Sequence, residues 1–342
     1  MTLIYMILIL SVVIFIHELG HFIFAKRANI YVYEFSLGMG PRIFKFNRKN
    51  DETDYCIRLF PIGGFVQMAG EEVEDDEKVP NDRKLYSKTI LERFLTIGAG
   101  IFFNFVLAIV LLFVVGLVNG CSINKPYIKS IEEGVNSNIN VGDKIYSVNG
   151  KKVLFTDILV LDLQVNSGKP IDMVLINSEG EKYDVTIEPT IVNEDGKDIY
   201  KYGIGLGDDV ETGVLASIKY AFSKFASLIC QMVMVIFYLF TGKLGLNSLS
   251  GPVGIFNVVG ETAALGFINL VYLTAFLSVN VGFMNLVPIP ALDGCRLLFL
   301  LIEKIKGSKV DAKYENVIHA VGFVLLMILM VVVTFNDVIK LF

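Results

Sequence analysis

VVIFIHELGHFIFAKR, Val12 to Arg27, sets two histidines and a glutamate inside a run of aliphatic and aromatic residues. The centre of the stretch, His17-Glu18-Leu19-Gly20-His21, is H-E-x-x-H. On a helix, positions i and i+4 share a face, so both imidazoles can reach one ion while Glu18 stands beside them. Zinc suits such a pair, because it takes nitrogen ligands in a tetrahedral arrangement and leaves one position for water. The metal brings the pKa of that water down toward about 7, where a glutamate can take its proton. The chain has three histidines in 342 residues, and two of them lie in this motif. The plain alternative is a polar contact between packed helices. An ionisable group inside an apolar span is costly, however, and marks function first.

Composition supports the span. Hydrophobic residues make up 54% of the chain and the mean hydropathy is +0.59, more apolar surface than a water-soluble domain needs. A net charge of -5 argues against nucleic acid as a partner. Cys56, Cys121, Cys230 and Cys295 are scattered without C-x-x-C spacing, so they form neither a disulfide framework nor a thiolate metal site. The N-terminal MTLIYMILILSVV has no basic leader or small-residue cleavage site and reads as an uncleaved first span.

Four segments are long enough to cross about 30 Å of hydrocarbon: Leu3–Ala25, Phe94–Val118, Phe267 to about Leu301, and Val317–Phe335. A fifth apolar stretch, Ile218–Phe240, carries Lys219, Lys224 and Gln231 and is expected to lie in the interface as an amphipathic helix. Lys26, Arg27, Arg42, Lys45, Arg48, Lys49, Arg83, Lys84, Lys88 and Arg93 separate the first two spans. Lys304, Lys306, Lys309 and Lys313 follow the third. The positive-inside rule then puts both loops in the cytoplasm and both termini outside.

The expected order is a first span at 1–26, a cytoplasmic membrane-associated β element and acidic linker at 27–93, and a second span at 94–120. An extracytoplasmic domain follows at 121–208, then an interfacial helix and loop at 209–266. A third span at 267–302, a cytoplasmic loop at 303–316 and a fourth span with a short external tail at 317–342 complete the chain. The β element reads as short strands punctuated by glycine turns, and EEVEDDEKVPNDRK after it as a solvated linker without a chemical role. In the external domain, VGDKIYSVNGKKVLF predicts an Asn-Gly hairpin, TDILVLDLQVNSG a helix N-capped by Thr156, and IDMVLINSEGEKYDVTIEP a second hairpin.

Two histidines leave a hydrolytic zinc site one ligand short. The third span contains SVNVGFMNLVPIPALDGCR, in which Pro288 and Pro290 break the helix ahead of Asp293. Broken backbone at membrane depth is tolerated where protein or a water-filled cavity satisfies it. Asp293 could be a helix cap at a kink, but beside His17 and His21 a ligand is the better reading. At 1.5 Å per residue His17 lies roughly 20 Å below the outer end of its span, and an inward-running third span brings Asp293 to similar depth. That match favours four spans over five.

HELGH, NLVPIPALDG and a hairpin domain between the second and third spans together resemble the site-2 protease family of zinc intramembrane metalloproteases (peptidase M50), in its bacterial RseP/RasP type with one PDZ domain. FPIGGFVQMAGEE resembles the family's membrane-associated β element, VGDKIYSVNGKKV its PDZ signature, and LSGPVGI and LDG…LIEKIKG match as well. The resemblance implies a polytopic α-helical membrane protein with four transmembrane helices, a small membrane-associated β element and an extracytoplasmic PDZ-like α+β domain. It implies one zinc per chain on His17, His21 and Asp293, Glu18 as general base, and Asn285 holding unwound substrate. Pro288, Gly63, Gly64 and Asn280 are further substrate-binding candidates; for Asn280 and Asn104, interhelical hydrogen bonding is an equal alternative. Cys295, Ile101 and Gln67 depart from residues common in the family without touching ligand or base.

The implied activity is hydrolysis within or near the membrane span of single-span proteins such as anti-sigma factors, and of remnant signal peptides, in a bacterial cytoplasmic membrane. An upstream site-1-type protease would cut first. The β element would pair with unwound substrate or simply anchor two spans. The PDZ-like domain would bind trimmed termini, exclude bulky ectodomains or act as a spacer. A non-proteolytic scaffold is the competing function, though it needs no general base. A metal transporter would need a second ligand set. Gly98, Ala99 and Gly100 read as helix packing, and His319 as a polar contact away from these motifs.

Overall fold

The computed structural model describes residues 1–49, 51–71, 78–122, 126–132, 139–194, 197–207 and 210–340. Most of the acidic part of the expected linker, 72–77, and the last two residues of the tail lie outside that set. The chain forms two compact units, Met1–Leu111 with Leu246–Phe342, and Leu112–Gly245.

In the first unit α1 (Thr2–Arg27) leads into a hairpin of β1 (Val32–Asn47) and β2 (Asp54–Met68). Their register divides each into two short segments, as expected from the glycine turns. Residues 34–37 pair with 64–67 on one side and with 54–57 on the other, and 44–47 pair with 54–57. Gly38, Gly40 and Gly63 adopt positive φ, and the register shifts repeatedly along the pair. The glycines therefore turn each long strand back into two short pairing segments. At its base the hairpin packs Phe35, Val66 and Met68 against Ala25, Ile30 and Leu85. Its far half leaves Ile43, Phe44, Phe46, Ile57 and Phe60 exposed.

Polar contacts fix the hairpin to the end of α1. Lys26 Nζ donates to Asp51 Oδ1 and Glu52 Oε1, each at 2.8 Å, and Tyr55 donates to Asp51 Oδ2 at 2.9 Å. The linker is not solvated throughout as expected. Its Arg83 donates to Glu52 at 2.8 Å, and its Glu71 pairs with Arg296.

The second long helix, α2 (Ile90–Asn119), starts four residues before the apolar run. Thr89 and Glu92 form a capping box there: Thr89 N donates to Glu92 Oε2 at 2.9 Å and Glu92 N to Thr89 Oγ1 at 3.2 Å. Thr96 and Asn104 of α2 meet His21 and His17 of α1 respectively, so the two helices are antiparallel.

Unit two begins with β3 (Cys121–Ser122) and β4 (Ile128–Ile131). Then come β5 (Lys144–Val148), β6 (Lys151–Lys152), α3 (Thr156–Val165), β7 (Ile171–Ile176) and β8 (Lys182–Ile187). A four-stranded antiparallel sheet runs β6-β5-β7-β8. The expected Asn149-Gly150 turn joins β5 to β6, with φ of 47° and 75°. Further on lie β9 (Thr190–Glu194), β10 (Lys197–Lys201), β11 (Ile204–Leu206) and β12 (Val210–Glu211). They pair as β9–β10, β4–β11 and β3–β12. Ile128, Ile145, Leu159, Ile171, Met173 and Leu175 fill the core. Thr156 is not the N-cap of α3: extended Phe155 holds that position without a side-chain cap, and Thr156 is already helical.

The helix α4 (Val214–Phe240) closes this unit. Lys224 Nζ bonds both Asp157 oxygens at 2.8 Å, Ser227 donates to Asp157 at 2.6 Å, and Tyr238 donates to Asp162. Lys224, Ser227 and Tyr238 thus face α3.

The first unit resumes with α5 (Pro252–Ala264), α6 (Phe267–Leu286), α7 (Asp293–Lys306) and α8 (Ala312–Ile339). The expected break separates α6 from α7. Ile9 of α1 packs with Leu270 and Leu273 near the start of α6, and His17 meets Asp293 beyond its end, so α1 and α6 run parallel. Among the described residues five helices, α1, α2, α4, α6 and most of α8, are long and apolar enough to cross a membrane.

Burial alone would raise the Asp51 carboxyl, but the hydrogen bonds from Lys26 and Tyr55 hold it at about 2. Burial and the same contact push the Tyr55 phenol up to about 12. Since the folded value lies below the ordinary 3.8, the stabilisation from Asp51 is full above about pH 4 and is lost as pH falls toward 2. Asp51→Asn should therefore melt below the parent at neutral pH, with the gap closing between about pH 4 and 2. Thermal melts in detergent across that range check this, and a gap unchanged at low pH would contradict it.

Candidate metal centre

Helix periodicity puts His17 and His21 one turn apart on α1, and both rings are buried. Asp293, the first residue of α7, reaches the same point from the end of the break. Asp293 Oδ2 lies 3.1 Å from His17 Nε2 and 3.3 Å from His21 Nε2, and the two nitrogens are 3.1 Å apart. Ligand atoms about 2.0–2.1 Å from a tetrahedral zinc stand about 3.3 Å from each other, so the triangle has the size this metal requires. Asp293 Oδ2 is buried and makes no well-angled hydrogen bond among the described residues, although both imidazoles are close. The three atoms converge on a common point more than on one another. The donor set fits zinc.

The outer contacts of the rings agree. His21 Nδ1–H donates to the Thr96 carbonyl at 2.9 Å, which leaves Nε2 unprotonated toward the shared point. Asn104 Nδ2 stands 3.3 Å from His17 Nδ1, while Asn104 Oδ1 has no hydrogen-bond partner among the described residues. Turning that amide over lets Oδ1 accept from His17 Nδ1–H and frees His17 Nε2 as well. Ser278 of α6 fixes this part of α2 by donating to the Asn104 carbonyl at 2.8 Å.

Glu18 is half-buried beside the triangle. Gly64 of β2 packs against it: a Cβ there would stand 3.4 Å from Glu18 Cγ and 2.9 Å from the Ser36 carbonyl oxygen. Gly63 points elsewhere, toward Met39. Of the two glycines taken as substrate contacts, Gly64 alone adjoins the glutamate. Asn285, in the last turn of α6, donates to Val281 O at 3.0 Å within its own helix. Pro288 is exposed in the break, and Asn280 is half-buried on α6. Beside the hairpin a cavity of about 1040 Å³ is lined by Phe65 to Met68, Glu34 and Arg296 among others.

The small residues of α2 divide into two kinds. At Gly100 a Cβ would lie 2.4 Å from His21 Nε2 and 2.7 Å from His17 Cε1, whereas at Gly98 the nearest atom would be 4.0 Å away. His319 is not remote from the motifs as expected, since its Nδ1 accepts a hydrogen bond from Ala291 N at 3.0 Å. The sequence offered a sign of Asn104, an amide in an apolar run, but none of the Thr96 carbonyl, since every residue has one.

The sequence profile of Peptidase family M50 matches residues 5–329. The zinc metalloprotease RasP of Bacillus licheniformis is 34% identical over 421 aligned residues, covering 100% of this chain and 99% of its own. The regulator of sigma-W protease RasP of Bacillus subtilis is 32% identical, again covering 100% and 99%. A relative from Fusobacterium nucleatum is 36% identical over 350 residues, the whole of both chains. A solved PDZ domain from Listeria monocytogenes is 16% identical and covers 25% of this chain and 88% of its own, with a TM-score of 0.22. That likeness is too slight to carry an argument about fold.

Gly100→Ala should push both imidazoles off the shared point and weaken zinc binding at least about tenfold. Gly98→Ala should bind zinc like the parent. Competition with a chromogenic chelator in detergent measures both, and equal affinities would contradict the packing.

Proposed function

The chain belongs to peptidase family M50 and is a membrane-bound zinc metalloprotease, and from that premise we propose that it cuts single-span membrane proteins within or near the bilayer. The observation that carries this reading is the triangle of His17, His21 and Asp293, with Glu18 beside it and Gly64 of a strand against Glu18. These three residues would hold one zinc. Bound there, it would supply Lewis-acid polarisation of the scissile carbonyl and acidify a water.

The chain's own groups do the rest. Glu18 takes the proton from the attacking water and returns it to the leaving amine. Thr96 and Asn104 keep the ring tautomers that leave both Nε2 atoms as donors of lone pairs. A substrate helix hides its carbonyls in its own hydrogen bonds, so it must be unwound first. An extended segment laid along β2 replaces those bonds, and the cavity beside Phe65 to Met68 gives it room. Pro288 lies in the break and Asn285 just before it, where the last turn of α6 can release Asn285 to the substrate. Gly63 and Asn280 would act only indirectly, through packing against Met39 and through α6 packing.

Helix direction supports four spans. Because α2 is antiparallel to α1 while α6 is parallel to it, the chain leaves α2 and starts α6 on the same side of the membrane. An even number of crossings must lie between. The 13 residues of α5 span only about 20 Å, too short for a crossing, so a lone crossing by α4 does not fit. With Lys and Arg counted on the other side, both termini and unit two lie outside the cytoplasm of a bacterial cell. The second unit is read as PDZ-like, from its VGDKIYSVNGKKV signature and its hairpins around α3. It would admit substrates already trimmed by another protease. The name of the Bacillus subtilis relative, regulator of sigma-W protease, supports membrane-bound anti-sigma factors as substrates, with remnant signal peptides as a second group.

Parent and Glu18→Gln would each receive a single-span peptide in liposomes, with and without a zinc chelator, and products would be read by mass spectrometry. The parent should cut inside the span, the variant should be slower by about 10²–10⁴-fold, and the chelator should stop cleavage. A zinc-loaded parent that cuts none of several spans would sink the proposal and leave a scaffold as the better reading.

A further inference from the structure

We propose that His319 and Gly322 of α8 are positioning residues that grip the turn at Pro290 and Ala291, so that Asp293 is presented to His17 and His21. The inference rests on Asp293 as a metal ligand.

The turn is an unusual place for a ligand to begin. Between α6 and α7 the backbone makes only short-range bonds, such as Leu292 N to Ile289 O at 3.1 Å. Ala291 has a φ of +78°, a left-handed conformation that an alanine does not hold unaided. Its N–H donates to His319 Nδ1 at 3.0 Å, which fixes the peptide plane two residues before Asp293. Accepting there puts the imidazole proton on Nε2. One turn further along α8, Gly322 lies directly on the turn. A Cβ at that position would be 2.2 Å from Pro290 Cβ and 2.7 Å from the Pro290 carbonyl oxygen. Phe299 of α7 braces the imidazole from the other side, with ring centroids 6.1 Å apart.

Elsewhere α8 is mostly exposed, its buried residues being Val333 and Asp337 near the far end. Asp337 there accepts from Gly251 N and Gly254 N at 2.7 and 2.8 Å and so caps α5. Near its start the helix meets the site's scaffold at the turn that launches Asp293. A mistake of a few tenths of an ångström in this turn moves the carboxylate directly, because Leu292 is the N-cap of α7 and Asp293 its first residue. A metal ligand tolerates little such error.

The test measures zinc affinity by chelator competition, together with kcat and KM, for His319→Leu, His319→Asn, Gly322→Ala and Asp293→Ala in the full-length protein. Melting temperature and gel-filtration elution confirm that each is folded. An asparagine keeps an acceptor near the place of Nδ1, whereas leucine fills the space without one. His319→Leu and Gly322→Ala should lose about 10–100-fold in zinc affinity and lower kcat with KM little changed, while His319→Asn stays close to the parent. Parental zinc affinity in folded His319→Leu, or equal losses in the Leu and Asn variants, would overturn the grip. If His319→Leu does not fold, Gly322→Ala decides the matter, and parental zinc affinity in it overturns the proposal. Parental affinity in Asp293→Ala would instead overturn the ligand reading, and the grip with it. A loss in Asp293→Ala alone leaves the ligand standing and removes the grip.

Discussion

A carboxylate and two imidazoles in a layer of apolar helices are tolerable only if they share a partner, and the first unit is organised around that constraint. Without a common ion, each would bear a desolvation cost that neutral neighbours do not offset. Here Asp293, His17 and His21 bring their three atoms within 3.3 Å of one another. Such closeness demands that α1 and α2 approach almost backbone to backbone. Gly100 supplies the gap on α2, and Gly20 lets α1 lie against Ala99, where a Cβ would stand 2.5 Å from the carbonyl oxygen. Larger side chains at either position would put the helices too far apart for the triangle to close.

The hairpin extends the same logic to the strand side. Its base is a mixed core of Phe35, Val66 and Met68 against α1, reinforced by Lys26 with Asp51 and Glu52. That anchoring is what holds Gly64 against Glu18. The far half exposes apolar side chains, Ile43, Phe44 and Phe46 among them. Glycines at positive φ turn the chain between its short pairing segments, so one ribbon serves both ends.

The break between α6 and α7 is where helix and catalysis conflict. A continuous helix would satisfy its own backbone but present no carboxylate to α1. Two prolines end it, and α8 compensates by accepting from Ala291 N and by packing its bare Gly322 against Pro290. Two ion pairs do the remaining work at α7, a buried one of Arg93 with Glu303 and a part-buried one of Arg296 with Glu71. The linker residue Glu71 looked inert as part of a charge run, because solvated runs and paired single charges have the same composition.

Much of this was legible in the residues alone. The 3.6-residue period fixes His17 and His21 on one face, apolar length locates the spans, and the two prolines mark the break before Asp293. Asn149-Gly150 gives a turn by backbone chemistry. Start points were less legible, as at Thr89 and Phe155, because a cap is a local geometry and not a hydropathy step. What only the tertiary structure decided is which distant groups meet: Thr96 carbonyl with His21, Asn104 with His17, Gly64 with Glu18, His319 with Ala291. Periodicity fixes the face a residue occupies on its own helix, but not how that helix is rotated against another, and these meetings depend on that rotation.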